Sequence, residues 1–125
     1  MMPVYNGYPL IEASVESLKR QNYSNWECVI VNDGSTDETT AYLDSIQDCR
    51  FVIHHLEKNS GRAVARQKAL ELCNGKYIGM LDAEDLVHPD KLRLQVEYLE
   101  KHSDISLVTC ALCSFGTKTD MLLVR

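Results

Sequence analysis

The feature that most constrains this chain is a repeated alternation of two apolar rhythms. Short runs rich in β-branched residues end in polar turns, and each turn leads into a stretch whose apolar residues recur at helical spacing. Met1 to Tyr5 reads as the end of a strand whose beginning is missing, closed by Asn6-Gly7. Pro9 then suits a first helical turn, and Leu10, Ile11, Val15 and Leu18 mark a helix that stops at Gln21-Asn22. Glu27 to Val31 reads as a buried parallel strand, and Ser35 with Glu38 forms a capping box for a helix reaching Ile46. Phe51 to His55 is a third strand, and Gly61 to Cys73 a third helix stopped by Asn74-Gly75. Lys76 to Leu81 reads as the next strand, Pro89 opens a fourth helix with Leu92, Val96 and Leu99 on one face, and Ile105 to Cys110 is a last strand. Ser114 to Arg125 carries no clear signal. This order, without repeats or linkers, predicts an α/β fold: one domain over residues 1–125 with a mostly parallel sheet flanked by helices.

Composition narrows the function classes. A net charge of -5 over 125 residues, with both signs interspersed, offers no footprint for nucleic acid or an anionic membrane. No apolar run approaches the roughly 20 residues of a spanning helix, and no signal peptide is visible, so a cytoplasmic protein with no membrane segment is expected. The 5 cysteines form no disulfide framework. Cys110 and Cys113 make a lone C-x-x-C, read as two buried or half-buried strand cysteines. The four histidines show no ligand spacing and are read as surface or capping residues.

In a parallel α/β sheet, ligands bind beyond the carboxyl ends of the strands, and four polar clusters fall there. They are Pro3-Val4-Tyr5-Asn6, Asn32-Asp33-Gly34-Ser35, Gly61 through Arg66, and Asp82-Ala83-Glu84-Asp85. Asp33 follows a strand directly, where a carboxylate can accept hydrogen bonds from a base or ribose; the same residues are also good turn chemistry. Three carboxylates within four residues suit a hard divalent cation that completes its shell with substrate phosphate, or else a solvated helix-capping loop. Arg62 and Arg66 share a face at the start of a helix, a locally unfavourable place for cations that an anionic ligand would offset. The alternative there is an exposed pair near Glu57 or Glu71.

Taken together, MPVYNGYPLIEASVESLKRQNYSNWECVIVNDGSTDET and NSGRAVARQKALELCNGKYIGMLDAEDLVHPDKL resemble the donor half of family 2 glycosyltransferases, with a weaker echo in DISLV. The resemblance implies a GT-A fold, Rossmann-like and truncated here, with the acceptor half absent. It implies that Pro3, Val4 and Tyr5 border the nucleotide, that Asp33 bonds the base, usually uracil, and that Arg66 approaches base and phosphates. Asp82, Ala83 and Glu84 fall on the family's D-x-D segment: Asp82 faces ribose and metal shell, Glu84 ligates Mg²⁺ or Mn²⁺, and Asp85 supports them. Two positions depart from the family's usual pattern: Glu84 stands where Asp is usual, and Asn32 replaces a frequent Asp.

The implied activity is inverting transfer of a sugar from a nucleotide diphosphate donor, expected to be a UDP-sugar, to an acceptor hydroxyl. The acceptor would be a glycan or lipid-linked sugar, and a longer polypeptide could be membrane-peripheral. The catalytic base is expected outside this chain, since nothing after Val108 resembles that region, so these residues alone are expected to be inactive. The rival expectation is a non-catalytic nucleotide-binding or structural α/β module. A pyrophosphorylase-like nucleotidyltransferase is a third, disfavoured because PVYNG lacks a Gly-rich basic phosphate loop.

Overall fold

The structure, a computed structural model, describes residues 1–116 and 119–124, with side chains described through residue 112. Its centre is β2 (Cys28–Asn32), whose five residues are all buried. Burial on both faces is what a β-branched run without polar alternation demands. β1 (Met2–Val4) and β3 (Phe51–His55) pair with it in parallel, giving the order β1-β2-β3.

Two layers of helix cover the sheet. On one face Cys28 and Ile30 of β2 join Met2 and Val4 of β1 against Ile11, Val15 and Leu18 of α1 (Leu10–Lys19) and Leu43 of α2 (Thr39–Asp44). On the other, Val29 and Val31 meet Ala65 and Ala69 of α3 (Arg62–Leu72). Those two alanines, one helical turn apart, let the helix axis approach the sheet closely. Trp26 seals the end of the first cluster, edge-on to Phe51 with ring centroids 5.5 Å apart and capped by the Arg50 guanidinium 4.2 Å above its ring.

Beyond α3 the sequence expectation needs correction. Lys76 to Leu81 is not a strand. Residues 79–81 do run along the free side of β1, where the Met1 amino group donates to Gly79 O (2.7 Å) and Leu81 N–H donates to Met1 O (3.2 Å). These are the two bonds of one parallel bridge. The next donor along that edge is residue 3, a proline without an N–H, so the ladder stops. Ile78 and Met80 stay about half exposed. Ile105 to Cys110 likewise forms no strand, and Cys110 is exposed and outside any strand, unlike the strand thiol expected; the Cys113 side chain lies outside the described residues.

The expected fourth helix is α4 (Lys91–Lys101), with Leu92, Val96 and Leu99 half-buried. The stretch without a clear signal contains an antiparallel hairpin, β4 (Leu112–Gly116) with β5 (Thr119–Val124). Among the described residues no helix is long and apolar enough to cross a membrane.

Burial sets thiol chemistry. Desolvation in the first cluster pushes the Cys28 thiol up to about 11, while Cys49 and Cys110 are exposed. At pH 8 roughly one Cys28 in a thousand is thiolate, and the thiolate is the nucleophile. Iodoacetamide labelling mapped by mass spectrometry is therefore expected to modify Cys49 and Cys110 within minutes and Cys28 only after denaturant is added.

Candidate donor site

The carboxyl ends of β1 and β2 open onto a crevice of about 400 Å³, a size typical of small-ligand sites. Pro3, Val4 and Tyr5 line one side; Asp33, Asn59 and Gly61 another; Asp82, Ala83 and Glu84 a third. Residues far apart in sequence are thus brought together at the sheet edge where the parallel topology calls for a ligand.

Asp33 is 3% exposed, and both carboxylate oxygens are engaged. Ser60 N–H donates to Oδ1 at 2.7 Å and Gly61 N–H to Oδ2 at 2.9 Å. Gly61 is the residue before α3, so this carboxylate sits at the positive end of the helix dipole and offsets the two arginines that follow. Gly34, at φ +67°, keeps the same loop close: a Cβ there would fall 2.5 Å from the Lys58 carbonyl carbon and 2.6 Å from Asn59 N. Neither atom can yield without moving backbone.

Asn32, 2% exposed, is fixed on every side. Its Oδ1 accepts Ser35 N–H at 3.1 Å, while Nδ2 donates to Thr40 Oγ1 at 2.9 Å and lies 3.0 Å from His55 Nδ1. A carboxylate would lack those donors, so the amide at this position serves the local network. His55, expected as a surface or capping residue, is exposed and also bridges from Asn32 to Asp44, with Nε2 3.1 Å from Asp44 Oδ1.

The acidic loop is held from α1. Ser14 Oγ donates to Ala83 O at 2.9 Å, Val87 N–H donates to Ser17 Oγ at 3.2 Å, and Gln21 Nε2 donates to His88 O at 2.7 Å. Ser14 is fully buried on the apolar face of its helix. A serine among Ile11, Val15 and Leu18 was the sequence signal for this contact. Asp85 is exposed and does not line the crevice.

Arg66 reaches this loop from α3, with Nη2 donating to Asp82 Oδ1 at 3.2 Å. The pair is half-exposed, 33% and 47%, and so contributes at most about 1 kcal/mol. Arg66 itself does not line the crevice, and its buried Nε has no protein partner among the described residues. Arg62, one turn earlier, lines the crevice itself and, among the described residues, makes no ion pair.

Asp82 keeps one carboxylate oxygen outside its bond to Arg66, and Glu84 is exposed at the crevice wall. Among the described residues no group of three or more potential metal ligands gathers. A pair of carboxylates open to a cavity still fits Mg²⁺ or Mn²⁺, which takes most of its shell from water and phosphate.

The capping box expected at Ser35 and Glu38 does not form. α2 begins four residues later than Ser35, Glu38 makes no side-chain cap, and Asp37 Oδ1 accepts Thr39 N–H at 3.0 Å instead. Burial opposes ionisation of Asp37, but hydrogen bonds from Thr39 outweigh it and hold the carboxyl below its ordinary value. Ser35 Oγ is turned to the loop after β1, where it accepts Asn6 N–H at 2.9 Å.

A parallel sheet covered by helices on both faces, with a polar crevice at its carboxyl edge, is the GT-A fold of the glycosyltransferase structures it matches. The chain belongs to glycosyl transferase family 2, whose model matches residues 1–124. It is 43% identical over 103 residues to TuaG of Bacillus subtilis (strain 168), assigned as a teichuronic acid biosynthesis glycosyltransferase, covering 81% of this chain and 41% of that one. It is 34% identical over 103 residues to the Escherichia coli UDP-Glc:alpha-D-GlcNAc-diphosphoundecaprenol beta-1,3-glucosyltransferase WfgD, again covering 82% and 41%. Among solved structures it resembles S. aureus TarS 1-349 in complex with UDP-GlcNAc, at 26% identity and a TM-score of 0.78, over 82% of this chain and 30% of that one. The chain therefore spans about two fifths of the length of these two relatives, TuaG and WfgD.

Asp33→Asn replaces one acceptor oxygen by an amide that faces a donor. Faster hydrogen exchange at the Ser60 and Gly61 amides is expected, with a loss of about 1–3 kcal/mol in urea unfolding; unchanged exchange at both amides would show that the carboxylate does not hold the loop.

Proposed function

We propose that residues 1–125 form one donor-binding domain of an inverting glycosyltransferase, which transfers a sugar from a UDP-sugar to an acceptor hydroxyl. The observation that carries this reading is the convergence of Pro3, Val4, Tyr5, Asp33, Asp82, Ala83 and Glu84 around one crevice, with Arg66 bonded to Asp82 at its edge. The complex of TarS with UDP-GlcNAc supports the donor class, and the diphosphoundecaprenol-linked sugar in the name of WfgD supports a lipid-linked sugar as one class of acceptor.

In this reading the base and ribose lie against Pro3 to Tyr5 and the Asp33 loop, and the diphosphate lies toward Asp82 and the arginines. Arg62, which makes no ion pair among the described residues, lines the crevice where it would neutralise phosphate charge, and Arg66 adds its charge from behind Asp82. Asp82 and Glu84 would hold Mg²⁺ or Mn²⁺; a mannosyltransferase of Pyrobaculum calidifontis, 28% identical with a TM-score of 0.70, is solved with GDP-Man and Mn2+. Such an ion supplies Lewis-acid stabilisation of charge on the departing diphosphate. Deprotonation of the acceptor belongs to a base that we place outside these residues, so the chain alone binds donor without transferring sugar. We expect a cytoplasmic protein, peripheral to the membrane where its acceptor is lipid-linked.

Titration calorimetry tests the donor site. UDP is expected to bind more tightly with Mn²⁺ present, and Asp82→Ala or Glu84→Ala to remove that gain. Arg66→Ala should weaken UDP about tenfold with or without metal, the equivalent of about 1.4 kcal/mol. No UDP binding under any metal would instead favour the non-catalytic α/β module.

A further inference from the structure

The wall of the crevice formed by residues 5–8 has no regular structure to hold it. The backbone donors of Asn6, Gly7 and Tyr8 are nonetheless taken. Asn6 N–H goes to Ser35 Oγ at 2.9 Å, and Gly7 and Tyr8 N–H both go to Thr39 Oγ1, at 2.9 and 3.1 Å. The return contact is Thr36 N–H to Asn6 Oδ1 at 2.8 Å. Each of these bonds joins the loop after β1 to the stretch that runs from the end of β2 into the first residue of α2.

The conformation that results needs such a clamp. Asn6 sits at φ +50°, where a non-glycine residue is strained. A Cβ on Gly7 would lie 2.5 Å from Val4 Cγ2, so the chain there is pressed against β1. Thr39 is fully buried and does not line the crevice, whereas Tyr5, Asn6, Gly7 and Tyr8 do. Its hydroxyl accordingly acts on the cavity only through the backbone it holds.

We propose that Thr39, seconded by Ser35, is a positioning residue for donor binding: its hydroxyl sets the shape of the 5–8 wall against which the nucleotide rests. The inference depends on the donor-site reading above, and it adds the residue that fixes one wall before any ligand arrives. Preorganisation of this kind raises affinity by removing the ordering cost from the binding step.

Thr39→Val keeps shape and burial but removes the acceptor, while Thr39→Ser keeps it. With UDP and Mn²⁺ in calorimetry, Thr39→Val is expected to lose about tenfold or more in affinity, and Thr39→Ser to stay within about twofold of the parent. Ser35→Ala, at a half-buried site with one bond to lose, should fall between them. Amide exchange at Gly7 and Tyr8 should quicken in Thr39→Val alone. The proposal is overturned if folded Thr39→Val binds UDP as the parent does, or if Thr39→Ser loses as much as Thr39→Val. Should Thr39→Val not fold, Ser35→Ala with parent affinity overturns it equally. If the parent chain binds no UDP, the donor-site reading falls instead, and unchanged Gly7 and Tyr8 exchange in Thr39→Val would remove the clamp as well.

Discussion

The structure depends most on one buried carboxylate. Asp33 leaves the central strand and at once receives two backbone N–H groups from the loop that starts α3. A charge at 3% exposure is tolerable only because those donors and the helix dipole replace water. Through this contact the helix on one face of the sheet is registered to the strand end that opens the crevice. Gly34 then keeps the two segments at a spacing no side chain would permit.

Around that fixed point the site is assembled from three loops, each held by a different helix. α3 is tied to the Asp33 side, α1 carries the acidic loop through Ser14 and Ser17, with Gln21 just beyond its end, and the start of α2 holds the loop after β1 through Thr39. The groups facing the crevice stay comparatively free: Glu84 is exposed, and Arg66 is bonded to Asp82 on one side only. Rigid supports with loosely engaged functional groups are what a site needs if charges are to be redirected to a ligand.

The alternation of strand and helix was legible because β2 is buried on both faces and α1 on one, so their apolar rhythms are undiluted. The grouping of Asp33 with Asp82 and Glu84 was legible from topology even though Lys76 to Leu81 forms no strand, because residues 79–81 still run along β1 and deliver the acidic loop to the same edge. What misled was local chemistry with two uses. Ser35 and Glu38 have the spacing of a capping box, but the hydroxyl is more valuable across the fold, where Asn6 N–H lacks another acceptor. Lys76 to Leu81 has strand composition, yet its ladder ends at Pro3, seventy residues away in the chain, which no local pattern records. The hairpin β4-β5 carried no turn or alternation signal strong enough to separate it from a tail.

The Asn32 amide also determines the state of an imidazole. Its oxygen is committed to Ser35 N–H, so the nitrogen must face His55, and His55 Nδ1 must accept. The ring proton then resides on Nε2, pointing at the Asp44 carboxylate. His55 is thereby held from both sides, by an amide on the central strand and by a carboxylate at the end of α2. The strand end that opens the crevice is in this way braced, through one imidazole on the neighbouring strand, against the helix that follows it.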